Sequence, residues 1–353
     1  MMWRYKKLAS FEEAQWMKRF DAAETSHVFF HPAVMNVWLK SYEPLRQNEL
    51  IIVEATCTDG NKALMPLVLW KKGMKHAFMR CIVPVGYSDY DYHDPLFSKR
   101  PSAESLQCFW SGLLDFLKPF KADELSIEGI RTSMIDQPEL WSEGEICPNL
   151  NLQNIHSEEE LMNFFSTKLR GDIRRQIRRL NEMGRLWLWE FNKADEVPDA
   201  LWNQFMEAHT KKWPNAYKAP GFHRHLLEIC SADGPVHFSA LMLDETPIAW
   251  HLGFEWHGVY YYYMPAGNPD YQKQSPVKIH LYFLLCRAIE KGYQLYDHLR
   301  GDETYKSGWS DGFTHVNSLV VHSSSVTATI KREVEKAGRC LIKLFPPQQP
   351  DKR

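Results

Sequence analysis

The chain has no Cys-x-x-Cys pair; its seven cysteines stand apart at 57, 81, 108, 147, 230, 286 and 340. An odd, scattered set argues against a zinc ribbon or a small disulfide scaffold, and reads as reduced thiols packed as small core residues in a cytoplasmic protein. No apolar run approaches the roughly 20 residues of a membrane helix. The opening Met1-Met-Trp-Arg-Tyr-Lys-Lys-Leu8 has no signal-peptide core. Stable membrane insertion is therefore not expected. Nor is there an excess of positive charge: 42 Lys and Arg face 44 Asp and Glu, a net charge of −2, so the whole chain is not a polycation built for nucleic acid. P-loop, Gly-x-Gly-x-x-Gly and His-Glu-x-x-His patterns are absent, which leaves kinase, dinucleotide and zincin chemistry without a motif.

What is present is a large aromatic core spread over 353 residues, a length for about two domains. The most patterned stretch is 259–309. Val259-Tyr-Tyr-Tyr-Tyr-Met264 suits a pleated strand. A turn follows at 265–274, then Ser275 as N-cap and Pro276 at the first helical position. Val277, Leu281, Leu284, Leu285 and Ala288 share one face of a helix over 277–291, which Lys291 and Gly292 close. A second strand is expected at 293–299, then the polar loop Arg300-Gly-Asp-Glu-Thr-Tyr-Lys-Ser-Gly-Trp309. A helix N-terminus directly after a buried strand offers free N–H groups and a positive dipole end, an anion site suited to pyrophosphate.

Strand, Tyr-rich turn, Ser275-Pro276-x-Lys278 helix start and Arg300-Gly-Asp-Glu-x-Tyr-Lys-x-x-Trp309 resemble the GNAT acyltransferase superfamily, in particular its CelD-like (cellulose-biosynthesis-type) branch, related to the FemAB aminoacyltransferases. The family's coenzyme loop is usually Gln/Arg-x-x-Gly-x-Gly/Ala. Gln272, Ser275 and Val277 stand at the matching positions, so both glycines are missing.

The rest of the chain carries the same order twice. Helices are expected at 11–20 and 32–42, a hairpin at 50–57 and 62–70 about Thr58-Asp-Gly-Asn61, a strand at 78–85, a helix at 102–116 and a strand at 124–130. The second half repeats this: helices at 200–212 and 221–230, strands at 236–243 and 248–256, then the 259–309 unit. The pattern predicts an α/β (α+β) fold of two similar units with mixed, mostly antiparallel sheets flanked by helices. The resemblance implies tandem GNAT folds: 1–150 without coenzyme, a basic connecting region 151–190, a catalytic unit 191–325, and a helix and tail at 326–353. In the connecting region Leu169, Ile173, Ile177 and Leu180 form an apolar seam, with Arg174, Arg175, Arg178 and Arg179 fanned over the remainder. That is a solvated amphipathic helix or an anion-binding face. The tail repeats the theme: Ile330, Val334, Ala337, Cys340 and Leu341 against Lys331, Arg332, Lys336, Arg339 and Lys343, read as a packed helix or a weak contact with an anionic membrane surface.

The resemblance places the pantetheine arm along Tyr262, Tyr263 and Met264, and the pyrophosphate at Gln272, Lys273, Gln274, Ser275, Val277 and Lys278. Acyl transfer needs a base, oxyanion donors and an acid for the leaving thiolate. Asp302 or Glu303 is available as base, Tyr305 as acid, and Lys306 to stabilise charge; an internally salt-bridged loop is the alternative. His251 and Glu255 alternate with Leu252 and Phe254 and are further candidates, against an ordinary structural role. Asp297 is read as a buried partner for Arg300. Ser88-Asp-Tyr-Asp-Tyr-His-Asp94 lacks the regular alternation of a hard-cation loop, and no metal is expected. Its Asp89, Tyr90 and Tyr92, with Arg300 and Trp309, are the expected acceptor contacts. The expectation is acetyl transfer from acetyl-CoA to an amine or hydroxyl of a small molecule or saccharide, such as an envelope precursor. Aminoacyl transfer from charged tRNA and a non-catalytic binding module are the alternatives.

Overall fold

The computed structural model describes residues 2–46, 48–72, 79–135 and 137–344. Phe78, the expected start of a strand, and the chain beyond 344 lie outside the described residues, as do the side chains of 339–344.

The first half runs β1 (Trp3–Lys7), α1 (Glu13–Asp21), α2 (Pro32–Arg46), β2 (Glu49–Cys57), β3 (Lys62–Lys72), β4 (Met79–Pro84), β5 (Leu96–Phe97), α3 (Ala103–Leu117), β6 (Glu124–Arg131) and β7 (Ser142–Asn151). Two connecting helices follow, α4 (Glu158–Phe164) and α5 (Thr167–Met183). The second half runs β8 (Leu186–Phe191), α6 (Asp199–Lys212), α7 (Phe222–Glu228), β9 (Val236–Leu243), β10 (Thr246–Trp256), β11 (Val259–Gly267), α8 (Pro276–Glu290), β12 (Leu295–Asp297) and β13 (Gly312–His322). The chain ends in α9 (Val326–Leu344). Apart from the short β5, each half reads strand, two helices, three-stranded meander, crossover helix, two strands. Local chemistry accounts for several boundaries. Gly60 sits at φ +86 in the Asp59-Gly60 hairpin turn, and the Ser102 hydroxyl caps α3 by accepting from Ser105 N. On α2, Val34, Val37, Trp38 and Tyr42 are all buried, as their spacing requires.

Strands join in the order β1-β2-β3-β4-β6-β13-β7-β12-β11-β10-β9-β8, with β5 on β3. The middle of that order is an exchange. β13, from the second half, pairs antiparallel with β6 of the first, while β7, from the first half, pairs antiparallel with β12 of the second. β7 and β13 also pair with each other and weld the sheet at its centre. None of β1, β7, β8 or β13 was expected from the sequence.

Both faces of the sheet are covered. α8 packs on one face, where Tyr260, Tyr262 and Tyr296 join Leu281, Leu284 and Leu285 in a common core. α5 docks there through Ile173 and Leu180, both fully buried, with Leu169 and Ile177 beside them. Tyr261 and Tyr263 point to the opposite core with Phe254 and the residues of α6 and α7. Of the apolar seam on α9, read from the sequence as packed or as a membrane contact, Ile330 is 58% and Val334 40% exposed. Polar ties hold that helix, Lys331 to Asp123 at 2.8 Å and Arg332 to the Ser323 carbonyl at 2.9 Å. Among the described residues no helix is long and apolar enough to cross a membrane.

Candidate active site

β11 and β12 pair in parallel only through Val259↔Leu295, Tyr260↔Tyr296 and Tyr261↔Asp297. Beyond that they part. The Asp297 carboxylate accepts from Leu299 N at 2.8 Å and from the Tyr92 hydroxyl at 2.7 Å. Leu299 takes φ +57, a left-handed conformation costly for a branched residue, and turns the chain away. A cleft of about 450 Å³ opens between Tyr262–Pro265 on one side and His298–Arg300 on the other. Ser88, Asp89 and Asp91 line it from the first half, His209, Lys212, Trp213 and His223 from α6 and α7, and Glu303, Tyr305 and Lys306 from the loop after β12.

A second hollow of about 400 Å³ adjoins it, sharing Lys212 and Pro265. Its lining includes Gln272, Ser275, Val277 and Lys278 at the start of α8, and Lys211 and Lys212 at the end of α6. Ser275 occupies the N-cap position but in the left-handed region, φ +51, and its side chain makes no cap bond, contrary to the sequence expectation. Its carbonyl takes the N–H groups of Lys278 and Ile279, and Pro276 has none, so Val277 N–H is the donor left in this first turn. Lysine side chains supply most of the positive charge: Lys211, Lys212 and Lys278, the last paired with Asp172 at 2.6 Å. Val277 leans over Gly267. A Cβ built on Gly267 would lie 2.6 Å from Val277 Cγ2, so the absence of a side chain on β11 makes room for the branched one on α8.

The loop after β12 is fastened by its own cations. Lys306, 4% exposed, donates to the carbonyls of Arg300 at 2.7 Å and Leu299 at 3.3 Å, and meets Glu303 at 2.9 Å. Arg300 spans to the first half, donating to the carbonyl of Asp91 at 2.8 Å and of Tyr90 at 3.2 Å. Asp91, not Asp297, is therefore the acidic partner of Arg300. Asp89 accepts from Trp38 Nε1 at 3.0 Å and the Tyr42 hydroxyl at 2.7 Å. Burial raises its carboxyl to about 6 against the pull of those two bonds. Burial also raises Asp91, and lifts the Tyr305 hydroxyl well above its usual range.

Several expected site residues lie elsewhere. Tyr90 stacks on Phe29 and donates to the Val34 carbonyl, and Tyr92 is buried on Asp297, so neither ring is free to stack on a sugar. Trp309, 2% exposed, packs edge-on against Phe165 in the core. His251 is sealed beneath α8, stacked on Tyr262 at 4.4 Å. Glu255 is bound by Lys291 and Tyr293. Asp302 is exposed outside the cleft lining, and Lys273 and Gln274 are outside the lining of the α8 hollow. Conversely, His209, Lys211, Lys212, Trp213, His223 and His298 line the two hollows without having been singled out; the Lys-Lys-Trp run ending α6 was the one legible signal among them. Gly308-Trp-Ser-Asp-Gly312 spells a serine-hydrolase string, yet it precedes a strand and no helix. Ser310 donates to the Lys306 carbonyl at 2.9 Å, so it is no nucleophile elbow. Among the described residues no group of three His, Cys, Asp or Glu is placed to hold a metal.

A parallel strand pair that splays before a crossover helix, carried twice in one sheet, defines the tandem GNAT fold. Residues 167–307 match the model of the acetyltransferase (GNAT) domain family. Over the full length it is similar to FemX, with a TM-score of 0.59 at 10% identity over 96% of this chain and 99% of that one. It is similar also to the C-terminal domain of a putative lysylphosphatidylglycerol synthetase from Agrobacterium fabrum (0.55, 10%, 92% and 96%). A third likeness is to a tandem GNAT protein from the clavulanic acid biosynthesis pathway (0.50, 9%, 92% and 99%). At such identities the likeness is one of fold. No curated protein matches by sequence.

Proposed function

We propose that the second half binds an acyl-coenzyme A, acetyl-CoA in the first instance, and transfers its acyl group to an amine or hydroxyl of a polar acceptor, a saccharide or envelope precursor. The observation that carries this is that the α8 hollow and the β11–β12 cleft adjoin, sharing Lys212 and Pro265 in their linings. In this reading the pyrophosphate lies against Val277 N–H and the lysines of α6 and α8, and the pantetheine arm runs along Tyr262–Met264. The acceptor enters beside Asp89, whose carboxylate takes the proton as the nitrogen or oxygen attacks the thioester carbonyl; the C–S bond then breaks and the leaving coenzyme A thiolate takes up that proton. The first half holds no coenzyme. Its matching splay, where β4 and β6 part after Ile82↔Leu125, is crossed by its own loop, with His93 N donating to the Gly129 carbonyl at 2.9 Å.

A second reading, aminoacyl transfer from charged tRNA, is favoured by one feature: Arg174, Arg175, Arg178 and Arg179 are all exposed on α5, the helix that Lys278 ties to α8. Thermal unfolding separates the two. Acetyl-CoA at about 100 times its dissociation constant adds about 2.7 kcal/mol to the native state, a rise of several degrees. Replacing Lys211 and Lys212 by Ala is expected to abolish the rise. No rise, together with salt-sensitive tRNA binding lost on replacing the four arginines, would reverse the preference.

A further inference from the structure

His298 stands one residue past β12, its backbone N–H bonded to the Pro148 carbonyl. The residue is 1% exposed, and it lines the cleft beside Tyr262, Glu303 and Lys306. Nε2 lies 3.3 Å from the Trp309 carbonyl oxygen. A carbonyl can only accept, so Nε2 carries the hydrogen. Burial holds the imidazole neutral, lowering it to about 3, with the Lys306 ammonium acting in the same direction. Nδ1 is therefore a bare lone pair. It is buried, and among the described residues nothing donates to it. An orphaned acceptor of this kind is costly in the folded chain unless something supplies a donor.

We propose that His298 Nδ1 is a substrate-binding atom that accepts a hydrogen bond from one N–H of an incoming amine acceptor, whose second N–H is left for the base. Resting on the acyl-transfer reading, this deepens it. The acceptor presents its nucleophilic group as a donor to a neutral imidazole, and the bond turns the nucleophile's lone pair toward the thioester without taking its proton. A ligand reaching this wall with a carbonyl or carboxylate alone would meet a lone pair and be repelled. The amide N–H of a pantetheine arm is the rival source of the same bond.

The two ring nitrogens can be tested apart. His298→Gln keeps an N–H reaching the Trp309 carbonyl but has nothing at the Nδ1 position; His298→Asn puts an amide oxygen near Nδ1 and gives up the Trp309 bond. With acetyl-CoA as donor and glucosamine as probe acceptor, the Gln variant is expected to raise KM for the amine about tenfold, the loss of one hydrogen bond. KM for acetyl-CoA stays unchanged, and Asn recovers much of the loss. Good activity in the Gln variant with failure of Asn would assign His298 to holding Trp309 and overturn the proposal. Nitrogen-15 histidine spectra of the full chain give a readout independent of turnover. The His298 signal, identified by its absence from the Gln variant, should report the Nε2–H tautomer, and its Nδ1 resonance should move when glucosamine joins coenzyme A. A proton on Nδ1, movement with coenzyme A alone, or no movement in a protein that acetyl-CoA does stabilise would each sink the assignment. Absence of stabilisation by acetyl-CoA is instead the failure of the acyl-transfer reading.

Discussion

At Asp89 burial and hydrogen bonding pull in opposite directions, and burial wins, leaving the carboxyl at about 6. Its unfolded value is about 3.9. The folded value is the higher one, so the group favours folding most below about pH 4, and that contribution is lost as pH rises through about 6. Asp89→Asn is therefore expected to be more stable than the parent at pH 7.5, by at most about 3 kcal/mol from two pK units, and equal to it at pH 4; melting curves at the two pH values check this. If Asp89 is the base, kcat/KM of the parent rises with an apparent pKa near 6. The Asn variant loses activity and that limb together, whereas a retained limb would remove Asp89 from the base role. The loop bearing Asp89 was legible as a site because acids cluster in it. The fate of Tyr90 and Tyr92 was not, because a turn has no fixed side-chain period and the core took both rings. His298 stayed invisible for another reason: in a short alternating strand it reads as one more structural histidine, and only the Trp309 carbonyl reveals which nitrogen is free.

Helix α8 was the most legible element. Pro276, its apolar face and Gly292 gave its span to within a residue, because each boundary rests on local backbone chemistry. What local chemistry did not give was how the missing coenzyme-loop glycines are accommodated. The structure answers with a contact between elements, Val277 seated over Gly267. Gly267→Ala is expected to destabilise the protein by about 1–3 kcal/mol through overpacking and to weaken acetyl-CoA binding, while adding Val277→Ala restores much of both. A double-mutant cycle on melting temperature and dissociation constant measures the coupling, and additive effects would place the two residues out of contact.

The whole molecule depends on the strand exchange. β7 was illegible because its sequence, Ser142-Glu-Gly-Glu-Ile-Cys-Pro-Asn-Leu-Asn151, holds three features that local rules count against a central strand: charge, glycine and proline. Its place comes from partners far away, β12 and β13. Pro148 is tolerated because β12 ends at Asp297, opposite Asn149, and the proline lies beyond that ladder. The repeat itself was legible, since both halves keep the same order of patterned runs, but not where one half stops supporting the other. A fragment starting at residue 167 would leave the edge of β12 bare and β13 without either neighbour. It is expected to be aggregated or unfolded, whereas the full chain should lose near-UV and far-UV signals in one coincident transition. A soluble, folded fragment would refute this.

If the two halves were separate chains, the same sheet would be a dimer in which each subunit lends a strand to the other. The segment of α4 and α5 makes that assembly one molecule. Pairing that would otherwise depend on concentration becomes intramolecular, with the partner always at hand. The covalent link also frees the halves from symmetry: one splay can fill with its own loop while the other stays open, a division of labour that identical subunits could not adopt.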